Sequence, residues 1–171
     1  MKHKLRSRRG MTLSEVLVAL LILSLVTVGV ATGVSASLRV YRQATESSDA
    51  QMLASTLSTA LMDELRYARN IQDDGSFTSD TFGEGVSVGI ADGRITVGDD
   101  EKLLSDAAYA GLQVRNLVKE TETLDLVKPV KVNNDTVFQV AFEICNSAGT
   151  GVQQVEFSVS PLNDPVGGVG A

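Results

Sequence analysis

Histidine occurs once in this 171-residue chain, at His3, and cysteine once, at Cys145. With no histidine beyond position 3, Ser-His-Asp and Cys-His catalysis and the usual histidine-bearing zinc sites are excluded. A lone cysteine closes no intramolecular disulfide, which excludes a disulfide-stapled secreted mini-domain but not an export destination. Cys145 ends an alternating apolar stretch, Val137-Phe138-Gln139-Val140-Ala141-Phe142-Glu143-Ile144-Cys145, and reads as a small core hydrophobe. Tryptophan is absent and aromatics make up only 5% of the residues, too few for a stacking platform for single-stranded nucleic acid. Gly83-Glu84-Gly85 lacks the spacing of a dinucleotide fingerprint, and no phosphate-loop Gly-Lys-Ser/Thr occurs. No catalytic residue and no cofactor are therefore expected, and an enzyme is the weakest functional class. The sequence alone leaves carboxylate pairs open.

Charge is unevenly placed. The chain carries 15 basic and 21 acidic residues, net −6, and five of the basic ones stand in the first ten positions: Lys2, Lys4, Arg6, Arg8 and Arg9. No acidic residue lies there, so the other 161 residues hold 10 basic and 21 acidic groups, or −11. A remainder of that sign is a poor partner for phosphate backbones, and direct nucleic-acid binding is not expected.

A long apolar run lies beyond the basic segment. Residues 16–38 are 23 in a row without a formal charge. As a helix they reach about 34 Å, enough for a hydrocarbon core of about 30 Å. A secretory h-region is shorter, at about 7–15 residues. The preceding cations keep the N-terminus cytoplasmic, which places everything from Arg39 onward outside. Arg39 and Arg42, just beyond the run, suit lipid headgroups. Val34-Ser35-Ala36 resembles a small-residue signal-peptidase site and Ser7-Arg8-Arg9 the start of a twin-arginine signal, but both patterns are short. Glu15 is the oddity, since a carboxylate at the edge of a membrane span is costly. A plain anchor does not need it. Either it is solvated at the interface, or it has a partner cation, which a new α-amine on Met11 would supply if the chain were cut after Gly10.

Arg8-Arg9-Gly10-Met11-Thr12-Leu13-Ser14-Glu15-Val16-Leu17-Val18-Ala19-Leu20 closely resembles the cleavage motif of type IV prepilins and type II secretion pseudopilins. The resemblance covers residues 6–35. It implies a basic leader over residues 1–10 and removal of that leader after Gly10 by a prepilin peptidase. It further implies N-methylation of Met11 and a Glu15 that pairs with a neighbouring subunit's amine to set register in a filament. Met in place of the usual Phe at the first mature position is more similar to minor pilins and pseudopilins than to major pilins. The partners so implied are the peptidase, sibling pilin subunits, the inner or cytoplasmic membrane before assembly, and the filament assembly machinery. Adhesion, twitching, DNA uptake and protein secretion all use such subunits. Gly29 and Gly33 form a Gly-x-x-x-Gly spacing inside the span, readable as membrane-helix composition or as a site of close helix packing.

Beyond the span the helical pattern continues. Leu53, Leu57, Leu61 and Leu65 recur every four residues with Met52, Ala60 and Ala68 beside them, and no Pro or Gly stands between Val34 and Asn70. One helix from about Thr12 to Asn70 is expected, an assembly half over 11–38 and an amphipathic half that serves an extracellular domain over 39–163 as its spine. Residues 86–90 and 94–97 flank Ala91-Asp92-Gly93, a hairpin signal. Residues 112–119 form a third strand candidate, 125–131 an edge candidate because of Pro129, and 136–145 with 153–160 a longer hairpin. Residues 164–171 read as a tail. The class is α+β: a long N-terminal helix, transmembrane in its first half, packed on a small antiparallel sheet. Two acidic clusters stand out, Asp73-Asp74 with Asp80 and Glu84, and Asp99-Asp100-Glu101 with Asp106. Asp99, Asp100 and Glu101 are weak candidates for a cation, since no loop matches an EF-hand. The alternative to a filament subunit is a single-pass membrane-anchored binding module that never polymerises. Gly10 and Glu15 separate the two, because an inert anchor tolerates change at both.

Overall fold

The computed structural model describes residues 11–98, 101–132 and 135–162. The leader, including Gly10 and its five cations, lies outside the described residues. So do Asp99, Asp100, the Asn133-Asn134 turn and the tail expected over 164–171. The architecture is α+β and pilin-like, one long N-terminal helix and then small antiparallel sheets. The chain divides into two compact units between Ala44 and Thr45.

Helix α1 runs over Leu13–Arg66. In the first unit every described residue is exposed, and the helix is long and apolar enough to cross a membrane. Four of its hydroxyl side chains, Ser24, Thr27, Thr32 and Ser35, bond to carbonyls of their own helix. Ser24 and Thr27 donate to the carbonyls of Leu21 and Leu23, each at 2.8 Å, and Ser35 donates to that of Ala31 at 2.9 Å. Hydroxyls satisfied in this way are tolerated in hydrocarbon.

In the second unit α1 supplies the core. Leu53, Leu57, Leu61 and Leu65 are all buried, as expected, and Ala68 continues their stripe just beyond the helix. Each fully buried leucine contributes about 1.5–3 kcal/mol of transfer free energy. Met52 departs from the expectation and is 74% exposed, while Ala50 and Ala54 are buried instead. One residue is about 100° of helical rotation, so Met52 sits off the stripe that its neighbour Leu53 heads. The helix also stops at Arg66 rather than near Asn70. The backbone of Arg69 is drawn into a bridge with Thr78, donating at 3.0 Å and accepting at 2.6 Å.

Among the described residues the helix is succeeded by eleven strands: β1 Phe77–Ser79, β2 Gly83–Val86, β3 Val88–Ala91, β4 Arg94–Val97, β5 Glu101–Lys102, β6 Gln113–Asn116, β7 Val118–Lys119, β8 Glu122–Thr123, β9 Val127–Val132, β10 Asp135–Cys145 and β11 Gly151–Val159. A 3₁₀ turn, Asp106–Tyr109, precedes β6. β10 is the centre of the largest sheet. Along one side it pairs with β11, from Phe138↔Val159 to Cys145↔Gly151. Its other side is shared, β9 taking Asp135 to Val140 and β6 taking Phe142 to Cys145. At the changeover the Ala141 N–H donates to the Leu126 carbonyl at 3.0 Å. Pro129 lies in β9, which pairs only with β10 among the described strands, so its missing N–H leaves no gap in an inner ladder. The core side of this sheet brings Phe138 and Phe142 together with the α1 leucines, and Phe138 meets Phe77 edge to face at 5.9 Å.

The β3–β4 hairpin forms on Asp92-Gly93, both at positive φ (50° and 71°), as an Asp-Gly turn requires. The strand expected over 86–90 is broken at Ser87, because Val86 belongs to β2 and pairs with Phe77. The strand expected over 112–119 is likewise broken at Leu117, which is fully buried and whose carbonyl accepts from the Leu124 N–H at 2.9 Å. The last described residue returns to the helix: the Leu162 N–H donates to the Arg66 carbonyl at 2.8 Å, satisfying one of the free carbonyls that a helix leaves at its C-terminus.

Candidate functional site

The start of α1 carries the residues that the sequence singles out. Met11 and Thr12 stand outside the helix and Leu13 opens it. Thr12 is its cap. The Thr12 carbonyl accepts from the N–H groups of Glu15 and Val16 at 3.1 and 3.2 Å, and its Oγ1 accepts from the Glu15 N–H at 3.3 Å. Thr12-Leu13-Ser14-Glu15 is thus a capping-box pattern with Glu15 at the third helical position. A carboxylate there also complements the positive end of the helix dipole. This local reason for Glu15 was legible as Ser/Thr-x-x-Glu ahead of an apolar run. The observed cap bond runs to the Glu15 backbone N–H, and the Glu15 residue is exposed.

Behind Glu15 the apolar side chains of residues 16–38 face outward on all sides, with Leu17, Leu21 and Leu25 each 60% exposed or more. A side chain added at Gly29 or Gly33 would meet nothing within 4 Å. The two glycines therefore form a bare strip within this one chain. Thr32 narrows its polarity by donating to the carbonyls of Val28 and Gly29 at 3.1 and 2.9 Å.

The second unit offers structural pairs. Asp80 pairs with Arg69, and Asp73 lies 3.4 Å from Lys131. Asp74 accepts from the Ser76 hydroxyl and N–H, at 2.7 and 2.9 Å, which lowers its pKa. Asp106 is held below the usual carboxylate range by Lys102, and next by Arg94, at 2.7 and 3.1 Å. Glu101 is exposed on β5. Among the described residues no group of three or more His, Cys, Asp or Glu is arranged to hold a metal ion.

The best-connected carboxylate is one that no sequence motif marks. Glu143 on β10 is nearly buried and accepts from Arg115 Nε at 2.7 Å and from Gln154 Nε2 at 3.2 Å. Burial acts to raise its pKa, but the bonds from Arg115 and Gln154 outweigh burial and hold it below its ordinary value. Any side chain at Gly151 would collide with that carboxylate. The three residues tie β6, β10 and β11 together. Cys145 is buried at the end of β10, and burial raises its thiol pKa. Tyr109 is fully buried, and its hydroxyl accepts from the Ile95 N–H at 3.0 Å. These are groups that hold a fold together.

Residues 5–31 match the family model described as the prokaryotic N-terminal methylation motif. No curated protein and no solved structure matches the chain. The matched segment runs from the basic leader through the Thr12 cap and Glu15 into the apolar helix.

Proposed function

We propose that this chain is a minor pilin or pseudopilin, a structural subunit with no catalytic role. The motif supports prepilin-type processing, and the apolar helix supports anchoring in a membrane. The proposed course has four steps. The leader's cations hold the N-terminus in the cytoplasm. A prepilin peptidase cuts after Gly10 and methylates Met11. The second unit stays outside the membrane. The helix then leaves the bilayer and packs among the helices of sibling subunits.

One observation carries this reading. A helical surface apolar on every side over positions 16–38 follows directly on Glu15, the fifth residue past the Gly10–Met11 junction, and the methylation motif matches residues 5–31. In hydrocarbon or in a helical filament core that surface is covered, whereas in water it is not. An unpaired carboxylate in such a core is expensive, and a neighbouring subunit's α-amine relieves the cost.

The test is processing in a membrane that contains a prepilin peptidase. Intact-mass analysis is expected to show loss of residues 1–10 and the added mass of one methyl group. Replacing Gly10 with a bulky residue is expected to leave the leader in place. A Gly10 variant that still loses ten residues would refute the processing step.

A further inference from the structure

Strand β11 carries an open edge. Ala141 on β10 donates its N–H to Leu126, on the β9 side, so its backbone turns away from β11. Backbone direction alternates along a strand, and Val140 and Phe142 therefore turn toward β11, where they face Phe157 and Val155. The groups left pointing outward are the N–H and C=O of Val152, Gln154, Glu156 and Ser158. Among the described residues no main-chain bond reaches them, and the one side-chain bond runs from Gln153 Nε2 to the Gln154 carbonyl at 3.0 Å. The other borders of this sheet are guarded. Pro129 stands opposite Phe138, which turns toward β11, so its missing N–H falls on the outer edge of β9, with Lys128 and Lys131 nearby in the strand. On β6 the outward N–H of Val114 already donates to the Gly93 carbonyl at 2.9 Å. Proline, lysine and cover are usual guards of a sheet edge. β11, Gly-Val-Gln-Gln-Val-Glu-Phe-Ser-Val, has neither proline nor lysine over its nine residues.

We propose that this edge pairs with the same edge of a second copy, antiparallel, about a two-fold axis at Val155. The strand's own sequence sets the occupant and the register. With Val155 opposite itself, Gln154 meets Glu156, Gln153 meets Phe157, Val152 meets Ser158 and Gly151 meets Val159, so the whole strand is paired. The outward-pointing residues then face one another, as the bonded pairs of an antiparallel ladder must. Glu156 is the strand's one formal charge, and in this register it faces a neutral amide. An axis at Glu156 would set two carboxylates opposite each other, which is destabilising. An axis at Gln154 would leave Ser158 and Val159 beyond the end of the second strand. Lys119 holds Glu156 at 2.7 Å within its own copy, so each carboxylate reaches the seam already paired. Val155 and Phe157, half-buried against the core, gain cover from Val155 and Gln153 of the second copy. The axis stands normal to the sheet and reverses every direction in its plane. The leucine-bearing half of α1 therefore runs opposite ways in the two copies. The pair joins subunits of separate filaments or facing surfaces, a contact beyond the proposed assembly, whose neighbours run the same way.

The experiment is disulfide trapping of the detergent-solubilised full-length chain with a mild oxidant. Cys145, which is buried, is replaced by alanine, and single cysteines are placed in turn at Gln153, Gln154, Val155, Glu156 and Ser158. In the proposed register the two Cα atoms at position 155 lie about 4.5 Å apart, inside the range of about 4.4–6.8 Å that a disulfide spans. The two at position 153 are offset by four residues, or about 14 Å. A disulfide-linked dimer is expected for Val155→Cys and is expected to be lost at the other positions. Ser158→Pro removes an outward N–H and no bond to β10. Added to the Val155→Cys chain, it is expected to abolish the cross-link and leave the circular-dichroism melt unchanged. Equal trapping at every position would report random collision and overturn the inference, and so would strongest trapping at a position other than 155. No dimer at 155, or a cross-link that survives Ser158→Pro, would overturn it as well. A cross-link that forms only after residues 163–171 are removed would overturn it too, since the chain's own tail would then hold the edge.

Discussion

Leu61→Ala is expected to lower the melting temperature of the second unit by about 10–15 °C. Leu61 is fully buried, with Leu57 and Leu65, also fully buried, one turn to either side on the same helix. The truncation removes the transfer free energy of the lost carbons and leaves a cavity. The helix backbone fixes both neighbours along the stripe, so little collapse can fill it. That places the loss in the middle of the range seen for Leu→Ala, about 3–4 kcal/mol. For a unit of this size, 1 kcal/mol moves the midpoint by about 3–5 °C. The assay is a circular-dichroism melt of residues 39–171, which are expected to be soluble and to give a helix-plus-strand spectrum before heating. Ser55→Ala, exposed on the same helix, is the control and is expected to shift stability by no more than about 0.5 kcal/mol. A Leu61→Ala shift below about 4 °C, corresponding to about 1 kcal/mol, would show that the second half of α1 is not the spine on which the sheets pack.

Glu15→Gln is the sharper probe of assembly, since glutamine serves in a capping box but carries no charge. It is expected to be processed and inserted normally and to be depleted from filaments, as measured by quantitative immunoblotting of sheared filaments; wild-type incorporation would remove the charge pairing. Glu143 gives a pH dependence. Its pKa is lowered in the fold, so its contribution is present above the ordinary value of 4.5 and is lost as pH falls through the folded value. The stability gap between wild type and Glu143→Gln in urea melts is therefore expected to be full at pH 7 and to shrink as the pH falls below 4.5. A gap independent of pH would mean that shape, not charge, is what Arg115 reads.

The elements most legible in the sequence were those set by local rules. The four-residue leucine repeat marked which face of α1 is buried, and Asp92-Gly93 marked the β3–β4 turn. The long alternating runs gave β10 and β11. The elements that were missed depend on distant partners. β1 and β2 are three- and four-residue strands that exist because Phe77 and Val86 pair with each other and enter the core. The helix ends early because Thr78, beyond the following turn, takes the Arg69 backbone. Strand 112–119 breaks because Leu117 is worth more buried than continuing a ladder. At the candidate site the motif residues were plain, and the Thr12 cap was readable as Ser/Thr-x-x-Glu ahead of the apolar run. The Arg115–Glu143–Gln154 link needed the register of three strands before it could be seen.

The order of the strands along the chain bears on export. β10 is the hub of its sheet, and its partner β11 comes after it, succeeded by the Leu162 N–H that closes on the Arg66 carbonyl. A chain that crosses a membrane with its N-terminus held back delivers these segments last. The leucine stripe of α1 would then emerge first, apolar and without its cover, and would wait for the last strands before the core could close. Until then the stripe would stay uncovered. A chain cut short anywhere before residue 151 would lack the outer strand of that sheet and keep the stripe partly open.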